Sequence, residues 1–297
     1  MLVIKGLKKS FGDKDVLRGL DLTVPAGSIF GFIGKNGAGK TTTMKAILGL
    51  MKADGGSITV NGEDVVYGQT LTNKYIGYLP DVPEFYGFMT AREYLAFSAG
   101  ISEMNCDNLS ARIEELLTLV GLGEEKHRIK GYSRGMKQRL GIAQALLSEP
   151  LLLICDEPTS ALDPVGRKEI LDILLSLKGK TTVLFSTHIL ADVERICTDV
   201  AFLDGGVITL QGSPAEIKKK YRSDEYCIET ECASHMELIA KQFPNVKISG
   251  ETEATFSLAD TELFAVMEFA ASNRIPLPKL QRLEPSLESL FLEVKEK

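Results

Sequence analysis

The chain has 297 residues, a formal net charge of −6, 44% hydrophobic residues and 25% charged residues. That balance fits a folded globular protein of roughly two domains of about 150 residues, and its acidity argues against broad non-specific attachment to nucleic acid, which needs a basic face. No apolar run reaches the roughly 18 residues of a spanning helix, so the chain is not expected to cross a membrane by itself.

In chain order, Met1-Leu2-Val3-Ile4-Lys5 lacks the layout of a secretory signal peptide. Residues 2–6, 16–24 and 57–61 read as strands separated by glycine-containing turns, an antiparallel flank. Strands are predicted over 28–33, 75–79, 151–155 and 182–185, and helices over 41–50, 109–120, 135–147 and 165–177. Several of these strands are almost wholly apolar, as when helices cover both sheet faces. The alternation predicts an α/β core with a largely parallel sheet. Residues 199–211, with Gly205-Gly206 at the middle, read as a closing hairpin.

The texture changes after Lys218-Lys219-Lys220. Strands over 226–228, 246–249, 255–258 and 279–283 alternate with helices over 235–243 and 262–271, and an amphipathic helix over 286–294 ends the chain. The order β-α-β-β-α-β predicts a small ferredoxin-like domain over 221–297, behind a first domain over 1–215. Cys106, Cys155, Cys197, Cys227 and Cys232 are odd in number and scattered, which suits reduced thiols of a cytosolic protein. Cys227 and Cys232 have no second Cys/His pair nearby, so no metal site is expected there.

Gly34-Lys35-Asn36-Gly37-Ala38-Gly39-Lys40-Thr41 satisfies G-x-x-x-x-G-K-[ST] in full, between a predicted strand and a predicted helix. Glycines let the backbone close around a phosphate without a Cβ in the way. Successive N–H groups form an anion nest, and the helix start adds partial positive charge. Asn36, Gly37, Ala38, Gly39, Lys40, Thr41 and Thr42 are therefore candidate phosphate-binding residues. Lys40 is expected to bridge the β- and γ-phosphates and Thr41 to offer its hydroxyl to Mg²⁺. The strand at 151–155 ends in Asp156-Glu157. Asp156 suits the water shell of Mg²⁺, and Glu157 suits the general base that polarises an attacking water. A GTPase would want Asn-Lys-x-Asp, but Asn73-Lys74 is followed by Tyr75 and Ile76.

Tyr132-Ser133-Arg134-Gly135-Met136 precedes an amphipathic helix 23 positions before Asp156 (156 − 133). In this order of motifs the sequence resembles the ATP-binding subunits of ABC transporters, in particular an export-associated branch with separate permease subunits. The family's Leu-Ser-Gly-Gly-Gln signature keeps Ser133 and Gly135 here and departs at Tyr132, Arg134 and Met136. The resemblance covers about residues 1–215 and implies a P-loop, RecA-like core with a helical subdomain at about 82–147. It further implies that Ser133 and Gly135 of a second copy contact the γ-phosphate, and that Ser160-Ala161-Leu162-Asp163 crosses the interface between copies. His188 matches the family's switch histidine, Phe11 its adenine-stacking aromatic, and Asp81 a position where the family usually has Gln, near Mg²⁺. Lys40, Glu157 and His188 become the candidate catalytic set, with Thr41, Asp156 and Asp81 toward the metal.

The family docks a permease helix near Phe85, Tyr86 and Phe88, whereas Tyr94 and Phe97 read as subdomain core. The implied partners are ATP, Mg²⁺, membrane permease subunits and a second copy of the chain, with no nucleic acid. The implied location is cytoplasmic, on the inner face of the membrane through the permease. Three alternatives stay open: another phosphate-loop enzyme, an ABC ATPase acting on DNA or the ribosome, and an inactive regulatory subunit. One phosphate loop, the absence of sustained heptads, the acidity and the intact Lys40, Asp156, Glu157 and His188 weigh against them.

Overall fold

The computed structural model describes residues 1–69, 71–102, 108–220, 225–257, 260–283 and 287. They form two units, Met1–Pro214 and Ala215–Lys297. In the first, alternating apolar residues build two long antiparallel strands, β1 (Leu2–Phe11) and β2 (Lys14–Val24). The first strand was expected to stop at Gly6. Instead Gly6, with φ 56, sits in a register shift between Ile4 and Leu7, and the pairing continues to Phe11. Such a bulge bends a strand without ending it.

Next come β3 (Ile29–Gly34), α1 (Lys40–Ile47), β4 (Gly55–Val60), β5 (Glu63–Asp64) and β6 (Ile76–Leu79). β3 is buried throughout, as its unbroken apolar run requires. α1 ends three residues before the predicted Leu50, because Gly49 turns left-handed at φ 67. A helical region follows with α2 (Ala91–Ile101), α3 (Leu109–Leu119) and α4 (Arg134–Ala145). A capping box between Thr90 and Glu93 fixes the start of α2. Tyr94 is buried here, as expected, but Phe97 is 40% exposed and meets Tyr86 edge-on at 5.5 Å, so it is no core residue.

The unit closes with β7 (Leu152–Cys155), α5 (Pro164–Ser176), β8 (Thr182–Thr187), α6 (Leu190–Ile196), β9 (Asp199–Asp204) and β10 (Val207–Gly212). One sheet is antiparallel in the order β2-β1-β4-β5. The other runs β10-β9-β3-β8-β7-β6, parallel except for β10. A single core joins the two sheets through α1, with Leu20 and Val24 on one side, Phe32 and Ile154 on the other and Met44 between. Each such side chain contributes roughly 1.5–3 kcal/mol on burial. The parallel strands thereby present their C-terminal ends on one edge, where open α/β sheets bind ligands.

After α7 (Pro214–Lys220) the second unit contains β11 (Glu225–Glu229), α8 (Ala233–Gln242), β12 (Lys247–Ile248), β13 (Glu253–Ser257), α9 (Asp260–Ser272) and β14 (Lys279–Arg282). Its sheet is antiparallel in the order β12-β13-β11-β14. Tyr226, Ile228, Ala254 and Phe256 of the strands share a core with Met236 and Ile239 of α8 and Val266 of α9. The helix predicted over 286–294 lies outside the described residues except for Leu287. Among the described residues, no helix is long and apolar enough to cross a membrane.

Candidate active site

The site grows from the end of β3. Gly34 has no room for a side chain, because a Cβ there would stand 2.8 Å from the Leu203 carbonyl oxygen. The loop 35–39 then folds back, and α1 starts on Gly39 at φ 113, with no side chain capping its first N–H groups. Those groups are the usual orphans of a helix start and are available to an anion. At Gly37 a Cβ would enter open space on the cavity wall, so the glycine keeps that space free. The Lys40 ammonium is buried beneath the loop. Its Nζ donates to the Gly34 carbonyl at 2.6 Å and to that of Lys35 at 3.3 Å, and lies 3.0 Å from Glu157 Oε1.

Asp156 leaves the end of β7 almost fully buried. Its Oδ2 accepts from Thr41 Oγ1 at 2.8 Å and its Oδ1 from Ser186 Oγ at 2.6 Å. Ser186 Oγ in turn accepts from the Glu157 N–H at 2.9 Å. Glu157 itself takes φ 50, an uncommon conformation for a residue with a side chain. The turn aims its carboxylate back at the loop, and His188 Nδ1–H donates to Glu157 Oε2 at 2.8 Å. Burial pushes the Asp81 carboxyl up; Arg134 opposes this, and the charges of Asp156 and Glu157 add to it.

These groups line one cavity of about 500 Å³, together with Asn36, Gly37, Gly39, Thr42 and Asp81. Ser160, expected in the segment that crosses between copies, and Lys35, inside the phosphate-loop motif, are also on its wall; sequence reasoning missed Lys14 and Val16 there, and Ser186 behind it. Only Ser186 carried a signal, in its place two residues before His188. Ala38 is off the wall and packs against the core. Phe11 is also off the wall, 49% exposed, with Lys9 Nζ 5.3 Å from its ring centre. Ser133, Gly135 and Asp163 lie outside the cavity, at the starts of α4 and α5.

The oxygen set fits Mg²⁺. One hydroxyl and one carboxylate stand 2.8 Å apart beside the cradle, and Mg²⁺ takes few protein ligands, completing its shell with phosphate and water. No larger cluster of His, Cys, Asp and Glu suited to a metal occurs among the described residues.

Residues 17–160 match the family model described as ABC transporter, and residues 212–294 match that of the ATP-binding protein DrrA1-3-like, C-terminal domain. The Uncharacterized ABC transporter ATP-binding protein YxlF of Bacillus subtilis (strain 168) is 36% identical, across 99% of both chains. The chain belongs to the ATP-binding subunits of ABC transporters. The Nod factor export ATP-binding protein I of Rhizobium sp. (strain N33) is 37% identical to this ABC subunit, covering 98% of it and 95% of the relative. A solved structure, of the ATP binding subunit of an ABC transporter, matches it at TM-score 0.67 and 33% identity, over 74% of this chain and 93% of that one. As a member of this family the ABC subunit binds and hydrolyses ATP with Mg²⁺ and serves membrane permease subunits.

Proposed function

We propose that this ABC subunit powers an exporter from the cytoplasmic face of the membrane, and that two copies pair around ATP to do so. Export is supported by relatives named for it, such as the Nod factor export protein. The observation that carries the mechanism is the unbroken chain from Thr41 through Asp156 and Ser186 to Glu157, with Lys40 and His188 both on the Glu157 carboxylate.

In this reading Lys40 and the N–H groups of 36–42 bind the β- and γ-phosphates, while Thr41 and Asp156 hold Mg²⁺, with Asp81 near its water shell. When bound, the metal neutralises charge on the transferring phosphoryl group. Glu157 takes the proton of the attacking water, and His188 orients that carboxylate through Nδ1–H. Ser133 and Gly135 of the second copy close the site, with the start of α4 facing the phosphate. Asp163 ends the segment that crosses between copies. Phe11 pairs with Lys14 across the β1–β2 turn, and Lys14 is on the cavity wall, which supports Phe11 as the adenine's neighbour. The region 221–297 is an accessory ferredoxin-like domain. Loss of the γ-phosphate separates the copies and moves the permease between states.

Glu157→Gln tests the reading. It keeps ATP binding and lowers turnover about 10²–10⁴-fold, the usual share of general-base catalysis. Unchanged turnover in that variant refutes the assignment.

A further inference from the structure

Asp81 borders two cavities. Besides the nucleotide cavity, it lines a second one of about 420 Å³ with Phe85, Ile129, Lys130 and Arg134. α4 holds it from that side at two points. The Nε2 of Gln138, a residue with no exposed surface, donates to the Asp81 backbone carbonyl at 2.5 Å. Arg134 Nη2 stands 3.4 Å from Asp81 Oδ1, with both side chains about half exposed. Arg134 and Gln138 are four residues apart, hence on one helix face. On the other side Asp81 shares the wall of the nucleotide cavity with Asp156 and Glu157.

The two attachments differ in kind. The Gln138 bond is buried and goes to the main chain, so it fixes the backbone of Asp81 whatever occupies the cavity. The Arg134 pair is exposed, weak and exchangeable. Without a cation between them, the like charges of Asp156 and Glu157 turn the Asp81 carboxylate toward Arg134. A divalent cation at Thr41 and Asp156 reverses that preference. With the backbone pinned, the exchange falls to the side chain. Arg134 directly follows Ser133, the cap of α4, so whatever frees Arg134 acts on the helix start that the second copy's phosphate is to meet.

We propose that Arg134 is the positioning residue for Asp81: its guanidinium holds the carboxylate away from the Mg²⁺ shell and gives it up when the nucleotide site fills. The inference rests on the reading of Thr41 and Asp156 as the metal-binding pair. Two departures from the family's usual residues, Asp81 at the position of Gln and Arg134 within the signature, thereby form one device.

The test is a Mg²⁺ titration of fluorescent ATP binding to the full-length chain, with an EDTA control. Arg134→Ala frees the carboxylate and lowers the Mg²⁺ concentration at half-maximal binding about three- to fivefold, the scale of one exposed ion pair. Arg134→Lys keeps the pair and stays near wild type. Asp81→Asn raises the half-point, and adding Arg134→Ala to it changes nothing further, because Arg134 acts only through Asp81. In EDTA, Arg134→Ala and Arg134→Lys bind ATP as wild type does. An absent shift in Arg134→Ala, or an equal shift in the Asp81→Asn background, overturns the proposal. Asp156→Asn separates the two readings: if it leaves the Mg²⁺ requirement intact, the metal assignment itself falls. If it abolishes that requirement while Arg134→Ala is silent, only the present inference falls.

Discussion

Three helix starts around the candidate site solve the same problem in different ways. α4 and α5 satisfy themselves. Ser133, at φ −64 and ψ 166, accepts the Met136 N–H at 3.2 Å, and Asp163, at φ −66 and ψ 164, accepts the Gly166 N–H at 3.1 Å. α1 has neither a capping side chain nor an extended cap residue; it begins on left-handed Gly39. In each of the first two, the cap residue's own side chain meets one of the free N–H groups. The third leaves its first donors without a side-chain cap, which suits a phosphate better than it suits helix stability. A helix start that needs a partner and one that does not are expected to respond differently to substitution.

The largest expected effect concerns the anchor that fixes α5 beyond its cap. Arg167 Nε donates to Asp192 Oδ1 at 2.5 Å, Thr159 Oγ1 donates to Asp192 Oδ2 at 2.8 Å, and Asp192 is 2% exposed. Arg167→Ala strands a buried carboxylate and costs about 3–5 kcal/mol. Asp192→Ala costs less, because the Arg167 side chain is already 30% exposed and can turn to water. Urea unfolding midpoints of the two variants check the order; the reverse order breaks the account of α5.

At α1 the expected losses are in binding first. Gly39→Ala forces a side chain into φ 113, with its Cβ 2.8 Å from Leu17 Cδ2. Strain of about 1–3 kcal/mol follows, which is roughly five- to 150-fold in ATP affinity if it falls on the bound state. Gly37→Ala, at φ 80, meets no atom within 4 Å but projects a methyl into the cavity. It weakens ATP binding with a smaller loss of melting temperature than Gly39→Ala. Equal melting losses with normal binding remove the cradle from the argument.

The same division explains what the sequence made legible. The phosphate loop, the acidic strand end and the strands β3, β7 and β8 are coded locally, by spacing and unbroken apolar runs, and each appears within one or two residues of its predicted bounds. The Gly6 bulge is not coded locally, since a glycine after an apolar alternation reads equally as an end. Phe97 looks like core in a helix of apolar residues, and only the packed subdomain shows it facing out. Ser186 beneath Asp156 and Arg134 beside Asp81 are separated from their partners by 30 and 53 positions. Such pairings follow from sheet order, which residue spacing does not carry.

The smallest effect is the sharpest test of α4 against α5. The Ser133 hydroxyl accepts from Met136 and still has its own hydrogen to donate to a phosphate, whereas an ionised Asp163 carboxylate has none. Ser133→Ala loses the cap and costs about 0.5–2 kcal/mol, as does Asp163→Ala. Ser133→Asp keeps a capping oxygen, so its melting temperature stays near wild type, but it sets a negative charge where the second copy's phosphate is expected. In a Glu157→Gln background with Mg-ATP, gel filtration should then show Ser133→Asp as monomer while the parent pairs. If Ser133→Asp pairs as the parent does, the start of α4 is a structural cap like that of α5, and the γ-phosphate is held without it.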